Sequence, residues 1–232
     1  MQGLKHLFGY RVTMLDATLG RVEDFFVDEE SWMVRYLVVR TGGILSNKRA
    51  LIPAGSLGAP DPDRKRLPVT LHGDQVVVED EDEVRTVSAE MEERLQKAYG
   101  NSVRRDRGHT RGGSGPIPVL RRAEGSKSSS LRGVREVGGY HIETTDGSCG
   151  LCTDVLADPE GWRAPYLVVN TKEWHPHGHV LVPTVWVREV SWEEMEFRVA
   201  ASRSKVQQAQ RFDPASHSTW RATSAYRGPL SA

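Results

Sequence analysis

The sequence predicts a mainly β protein made of two small β-barrels, each followed by a short helix, joined by a flexible linker. Three observations carry this. Shifted by 130 positions, the chain overlays itself without a gap from Gly9–Pro53 onto Gly139–Pro183, with fifteen identical pairs where average residue usage gives roughly three. Within each copy, short β-branched and aromatic runs alternate with turn signals. Between the copies the composition changes to Arg, Gly, Ser and Pro, the signature of a solvated linker. A period this long marks tandem domains, since solenoid repeats run about 20 to 50 residues. The expected boundaries are residues 1–100 and 138–212 for the domains, 101–137 for the linker and 213–232 for a disordered tail.

The first copy opens with a strand over Tyr10–Leu15, a hairpin turn at Asp16–Gly20 and a returning strand over Arg21–Val27. Gly20 supplies a backbone conformation that other residues resist. Asp28–Ser31 is the next turn. Trp32–Arg40, with its Tyr-Leu-Val-Val run, is the strongest strand and too short for a helix. Ala50–Pro53 follows, and Pro53 argues for an edge or strand end. Leu67–Leu71 and Gln75–Val78 complete the strands. Closing such a sheet would remove its exposed edges. A helix is expected from Ser88, its cap, to Tyr99, with Gly100 ending it and Met91, Leu95 and Ala98 packing inward. The second copy repeats this order from Gly139 through Trp186–Val190 and Met195–Ala200, and Ser202 caps a short helix.

The net charge of zero hides a pattern. Residues 1–100 carry 13 basic and 17 acidic side chains, residues 101–137 carry 9 and 3, and residues 138–232 carry 9 and 11. Two mildly acidic domains thus flank a basic connector, which reads first as solvated linker and second as a contact for an acidic partner such as nucleic acid or anionic lipid. The connector has no Phe, Tyr or Trp, which argues against base stacking. No apolar run approaches the roughly 20 residues of a membrane span, the first residues lack signal-peptide features, and two cysteines make no disulfide framework. The expectation is a cytoplasmic protein.

The repeated pattern is Gly-Tyr, an Asp at the first turn, Gly20 or Gly150, then Asp24 or Asp154, Asp28 or Asp158, Trp32 or Trp162, Tyr36 or Tyr166 within Tyr-Leu-Val-Val, and Pro53 or Pro183. This pattern resembles the PRC-barrel domain, found in the cytoplasmic part of the photosynthetic reaction-centre H subunit and in ribosome-maturation factors. The resemblance implies a barrel of about six strands that holds partners, in a largely bacterial family, and it implies no active site. No membrane helix precedes the first copy in this sequence, unlike the H subunit.

Candidate chemistry is sparse. His175, His177 and His179 alternate, so an extended backbone places three imidazoles on one side, a set suited to zinc, copper or nickel. They align with Leu45–Arg49, a hairpin loop in the first copy. Cys149 and Cys152 form one C-x-x-C, and Cys152 aligns with core Val22, so a small buried hydrophobe competes with a metal or redox role. The recurring Asp24/Asp154 and Asp28/Asp158 suit backbone hydrogen bonding in turns, and the Trp and Tyr pairs suit core anchors. No phosphate-binding glycine loop follows a strand. The expected function is non-enzymatic, without cofactor: a binding or assembly module for a protein partner, whose barrels pair with each other or with a second copy. The alternatives are metal or redox sensing through the His and Cys clusters, and RNA or ribosome association through the connector.

Overall fold

A computed structural model describes residues 1–42, 47–84, 88–100, 131–171 and 178–214. Its strands in chain order are β1 (Gln2–Gly3), β2 (Arg11–Thr13), β3 (Thr18–Asp28), β4 (Val34–Thr41), β5 (Lys48–Pro53), β6 (Arg66–Pro68), β7 (Val77–Asp80) and β8 (Leu131–Gly133). The second half adds β9 (His141–Thr144), β10 (Gly147–Ala157), β11 (Tyr166–Asn170), β12 (His179–Pro183), β13 (Val187–Ser191) and β14 (Glu196–Val199). The chain is mainly β, with two seven-stranded sheets and few helices. It divides into two compact units: Leu7–Glu136 with Glu160–Trp162, and Met1–His6 with Val137–Pro159 and Arg163–Ala232. These units follow the repeats, except that residues 1–6 and 160–162 each belong to the unit of the opposite repeat.

In the unit of the first repeat the strand order is β6-β2-β3-β4-β5-β7, with β8 added beside β3. Neighbours are antiparallel except β2 and β6, which run parallel. The eleven-residue β3 is long enough to hold two partners on one edge: its start pairs with β2 and its end with β8, at Phe26↔Gly133, Val27↔Arg132 and Asp28↔Leu131. The unit of the second repeat shares the central order but ends differently, since its β13 lies beside β14 whereas β7 lies beside β5. Its order is β12-β11-β10-β9-β14-β13, with β1 beside the end of β10 at Gln2↔Ala157 and Gly3↔Leu156. Among the described residues both sheets are open paths, with no hydrogen-bonded ladder joining the terminal strands.

The Tyr-Leu-Val-Val runs form interior strands of each sheet, with both of their faces covered. Leu37 and Val39 are fully buried on one face of β4, and Tyr36 and Val38 are nearly so on the other. Burying each such side chain contributes roughly 1.5–3 kcal/mol. In the first repeat's unit the helix Ala89–Gly100 supplies cover: Met91, Leu95 and Tyr99 are buried, and the Tyr99 hydroxyl donates to the Leu51 carbonyl while accepting from the Val77 N–H at 2.8 Å. Ala98, expected to pack, is exposed; the i, i+4, i+8 stripe runs through Tyr99 instead. In the second repeat's unit the equivalent face, Leu156, Val168 and Leu181, is covered by Phe212. The short helix there spans Arg203–Gln207, and Ser202 Oγ accepts from the Lys205 N–H as its cap.

Residues 131–137, assigned from the sequence to the linker, form β8 and the helical turn Val134–Val137. The basic side chains of this stretch are engaged. Arg132 pairs with Glu29 at 3.0 Å, and Arg135 donates to the Glu23 carbonyl and lies over the Phe8 ring. The rest of the basic connector (101–130) and the tail from 215 lie outside the described residues. No helix among the described residues is long and apolar enough to cross a membrane.

Candidate functional site

The most organised polar constellation occurs twice, at the aspartates of the long strands. Where β3 meets β4 the register shifts between Val22 and Asp24, leaving Glu23 as the extra residue of a bulge; β10 does the same between Cys152 and Asp154. A bulge re-aims the side chain beside it. Asp154 Oδ1 accepts the Val155 N–H at 2.7 Å and the Lys5 N–H at 3.0 Å. Asp24 Oδ1 accepts the Phe25 N–H at 2.8 Å and the Arg135 N–H at 3.1 Å. Each carboxylate thus pins the segment that precedes the opposite repeat, and these aspartates are not the turn residues that the sequence suggests.

A glycine makes each attachment fit. A Cβ on Gly3 would lie 2.7 Å from Asp154 Oδ2, and one on Gly133 would lie 2.8 Å from Asp24 Oδ2. Both contacts are shorter than real Cβ atoms tolerate, and the carboxylates cannot swing away without losing their backbone donors. Gly3 and Gly133 obey the same 130-residue shift as the repeat. They lie six residues ahead of Gly9 and Gly139, outside the Gly9–Pro53 and Gly139–Pro183 stretches that carry the dense identities.

Burial pushes both aspartates up, to about 6 each, while the backbone donors and the neighbouring Arg135 or Lys5 pull the other way. Asp28 does behave as a turn residue: its Oδ1 accepts from the Glu30 and Ser31 N–H groups at 3.2 and 2.7 Å and from the Ser31 hydroxyl. Asp158 occupies the matching turn, its N–H donating to the Arg163 carbonyl. Trp32 and Trp162 end these turns at φ of 54° and 53°, a conformation that costs about 1–2 kcal/mol for a residue with a side chain. Trp162 is buried and stacks on Phe25 with ring centroids 5.9 Å apart. Tyr36 is buried, and Tyr166 packs against the Leu156 cluster. Pro53 and Pro183 close β5 and β12.

Gly20 and Gly150 leave no choice of residue. A Cβ at either would lie 2.1 Å from the carbonyl oxygen of Arg40 or Asn170 on the adjacent strand; at Gly20 this close approach, and not the backbone angle expected from the sequence, is the reason, since only Gly150 of the two has a positive φ.

Cys149 and Cys152 are fully buried, unbridged thiols, and burial pushes both up to about 12. A thiolate is the form that binds metal or attacks disulfides, so this environment opposes both roles. His179 begins β12, opposite Asn170. Its counterpart in the first repeat is Arg49, a buried cation paired with Glu23 and, at 2.9 Å, with Glu81. His175 and His177 lie outside the described residues. Among the described residues no three His, Cys, Asp or Glu side chains gather as a metal site. A shallow groove on the second repeat's unit is lined by Glu143, Arg188, Glu189, Glu196 and Arg198, and Arg198 pairs with Glu189 at 3.1 Å and with Glu194. Its charges therefore face one another.

No curated protein matches the chain. The model of one family does, over the strands β2 to β7 and the turn that follows: residues 5–84, most of the described first repeat, match the PRC-barrel domain.

Proposed function

We propose that this protein is a non-enzymatic binding or assembly module of two PRC-barrel domains that mediates protein–protein interaction. The observation that carries the reading is the match of residues 5–84 to the PRC-barrel domain, together with a second repeat whose long strand, bulge and parallel strand pair occupy the same register. That register supports treating residues 138–212 as a second domain of the same kind. The perturbed ionisable groups support a role without catalysis: Asp24 and Asp154 hold backbone, and the two thiols are sealed in the sheet. Two linked modules gain avidity by raising the effective concentration of the second contact.

The test is a pull-down of the tagged full-length protein from its native cell extract at low and moderate salt, with bound proteins and RNA identified. A specific protein partner retained at moderate salt agrees with the reading. Recovery of RNA alone, lost as salt rises, contradicts it and moves the function to the basic connector. Recovery of nothing also counts against it.

A further inference from the structure

The edge at the end of each long strand is filled by a segment with a common pattern. Gln2-Gly3-Leu4-Lys5 lies beside β10 and Arg132-Gly133-Val134-Arg135 beside β3. The two segments differ in most side chains, yet both are held by a short antiparallel ladder, a glycine beneath a carboxylate, and the N–H two residues after that glycine. Leu4 and Val134, the residues that follow the glycines, are both fully buried. Recognition therefore rests on backbone and on a Gly-hydrophobe-basic pattern, which is strand addition to a sheet edge. We infer that the end of each long strand is a docking site for a short strand that ends in a Gly-hydrophobe-basic turn, and that a second copy of this chain is an alternative source of it.

Three features point to a second copy. The occupant of each site belongs in sequence to the other repeat, and exchange of an identical element within a chain becomes exchange between chains when the element is supplied by a neighbour. The end of β10 already holds Gly3-Leu4-Lys5 of its own chain, so the identical segment from another copy meets every requirement. The ladder of β1 is only two residues long, so its release is a local opening rather than global unfolding. The internal segment holds the advantage of effective concentration, so occupancy by a second copy rises with protein concentration. This inference stands on the docking geometry and does not depend on the adaptor reading.

Disulfide trapping tests it, because Gln2 and Ala157 face each other across the ladder. Full-length chains carrying Gln2→Cys are mixed under mild oxidation with chains carrying Ala157→Cys. The native Cys149 and Cys152 are fully buried and do not compete. The expected result is a disulfide-linked dimer of the two kinds of chain, increasing with concentration and lost when Gly3→Val is added to the first. A single chain carrying both substitutions should close on itself. If it closes and the mixture yields no mixed dimer at the highest soluble concentration, exchange between copies is overturned. If it does not close, the docking register itself is wrong and the proposal falls with it.

Discussion

Replacing the two bulge aspartates by asparagine isolates the electrostatics of the docked segments. In the folded protein Asp24 and Asp154 titrate at about 6, against an ordinary value of 3.8. The folded state therefore holds these protons more tightly than the unfolded chain does. Their contribution is fully present below pH 3.8 and is lost as pH rises through about 6, because ionising a buried carboxyl is costly. A shift of about two pK units is worth about 3 kcal/mol per group. Both carboxyls retain some solvent contact and accept backbone hydrogen bonds, so about 1–2 kcal/mol each is a fairer expectation. An asparagine at either position keeps an oxygen for the Arg135 or Lys5 N–H and removes the charge. Urea unfolding of wild type and of the Asp24→Asn, Asp154→Asn double variant, followed by circular dichroism from about pH 4 to 7, reads the difference directly. The gap in unfolding free energy should move by about 2–4 kcal/mol in favour of the variant across this range. A constant gap would refute burial as the dominant influence on these groups.

Gly150→Ala should be among the most damaging single changes, since its Cβ would meet the Asn170 carbonyl oxygen at 2.1 Å and its φ is +129°. A loss of more than about 3 kcal/mol is expected, read as a fall in thermal midpoint, and a near-neutral result would mean that β10 and β11 are not in this register. Tyr99→Phe strands the Val77 N–H and the Leu51 carbonyl and should cost about 1–3 kcal/mol in denaturant titration; an unchanged midpoint would place the helix Ala89–Gly100 elsewhere. Cys149 and Cys152 should resist a thiol reagent at about pH 8 in native protein and react fully in denaturant; rapid native labelling would contradict their burial and revive a redox role.

The sequence displays the strands more clearly than the devices that hold them. The Tyr-Leu-Val-Val runs, the turn at Asp28 and the cap at Ser202 are local features, and residue type and spacing are enough to place them. The bulges are hidden, because one extra residue in β3 or β10 shows only in the register with the next strand. Asp24 therefore looks like a turn aspartate when its partner is the Arg135 N–H, 111 residues away. Gly133 is hidden for another reason. It sits in a stretch whose Gly and Arg content matches a linker, and only its correspondence with Gly3 marks it as part of a sheet. His179 looks like a metal ligand because two other histidines stand near it in sequence, whereas its counterpart Arg49 is a buried residue of β5 paired with Glu23 and Glu81, a correspondence that residue type alone does not suggest. Ala98 attracts attention by its apolar character, although helical spacing from Met91 and Leu95 leads to Tyr99.

Hydrogen exchange on the full-length Gly3→Val variant tests most directly whether each leading segment completes the unit of the opposite repeat. Loss of β1 from the edge of β10 should raise amide exchange at the end of that strand, around Val155–Ala157, and leave Phe26–Asp28 of β3 protected by β8. Faster exchange at Phe26–Asp28, with Val155–Ala157 unchanged, would show that the leading segment serves its own repeat and would contradict the exchanged arrangement.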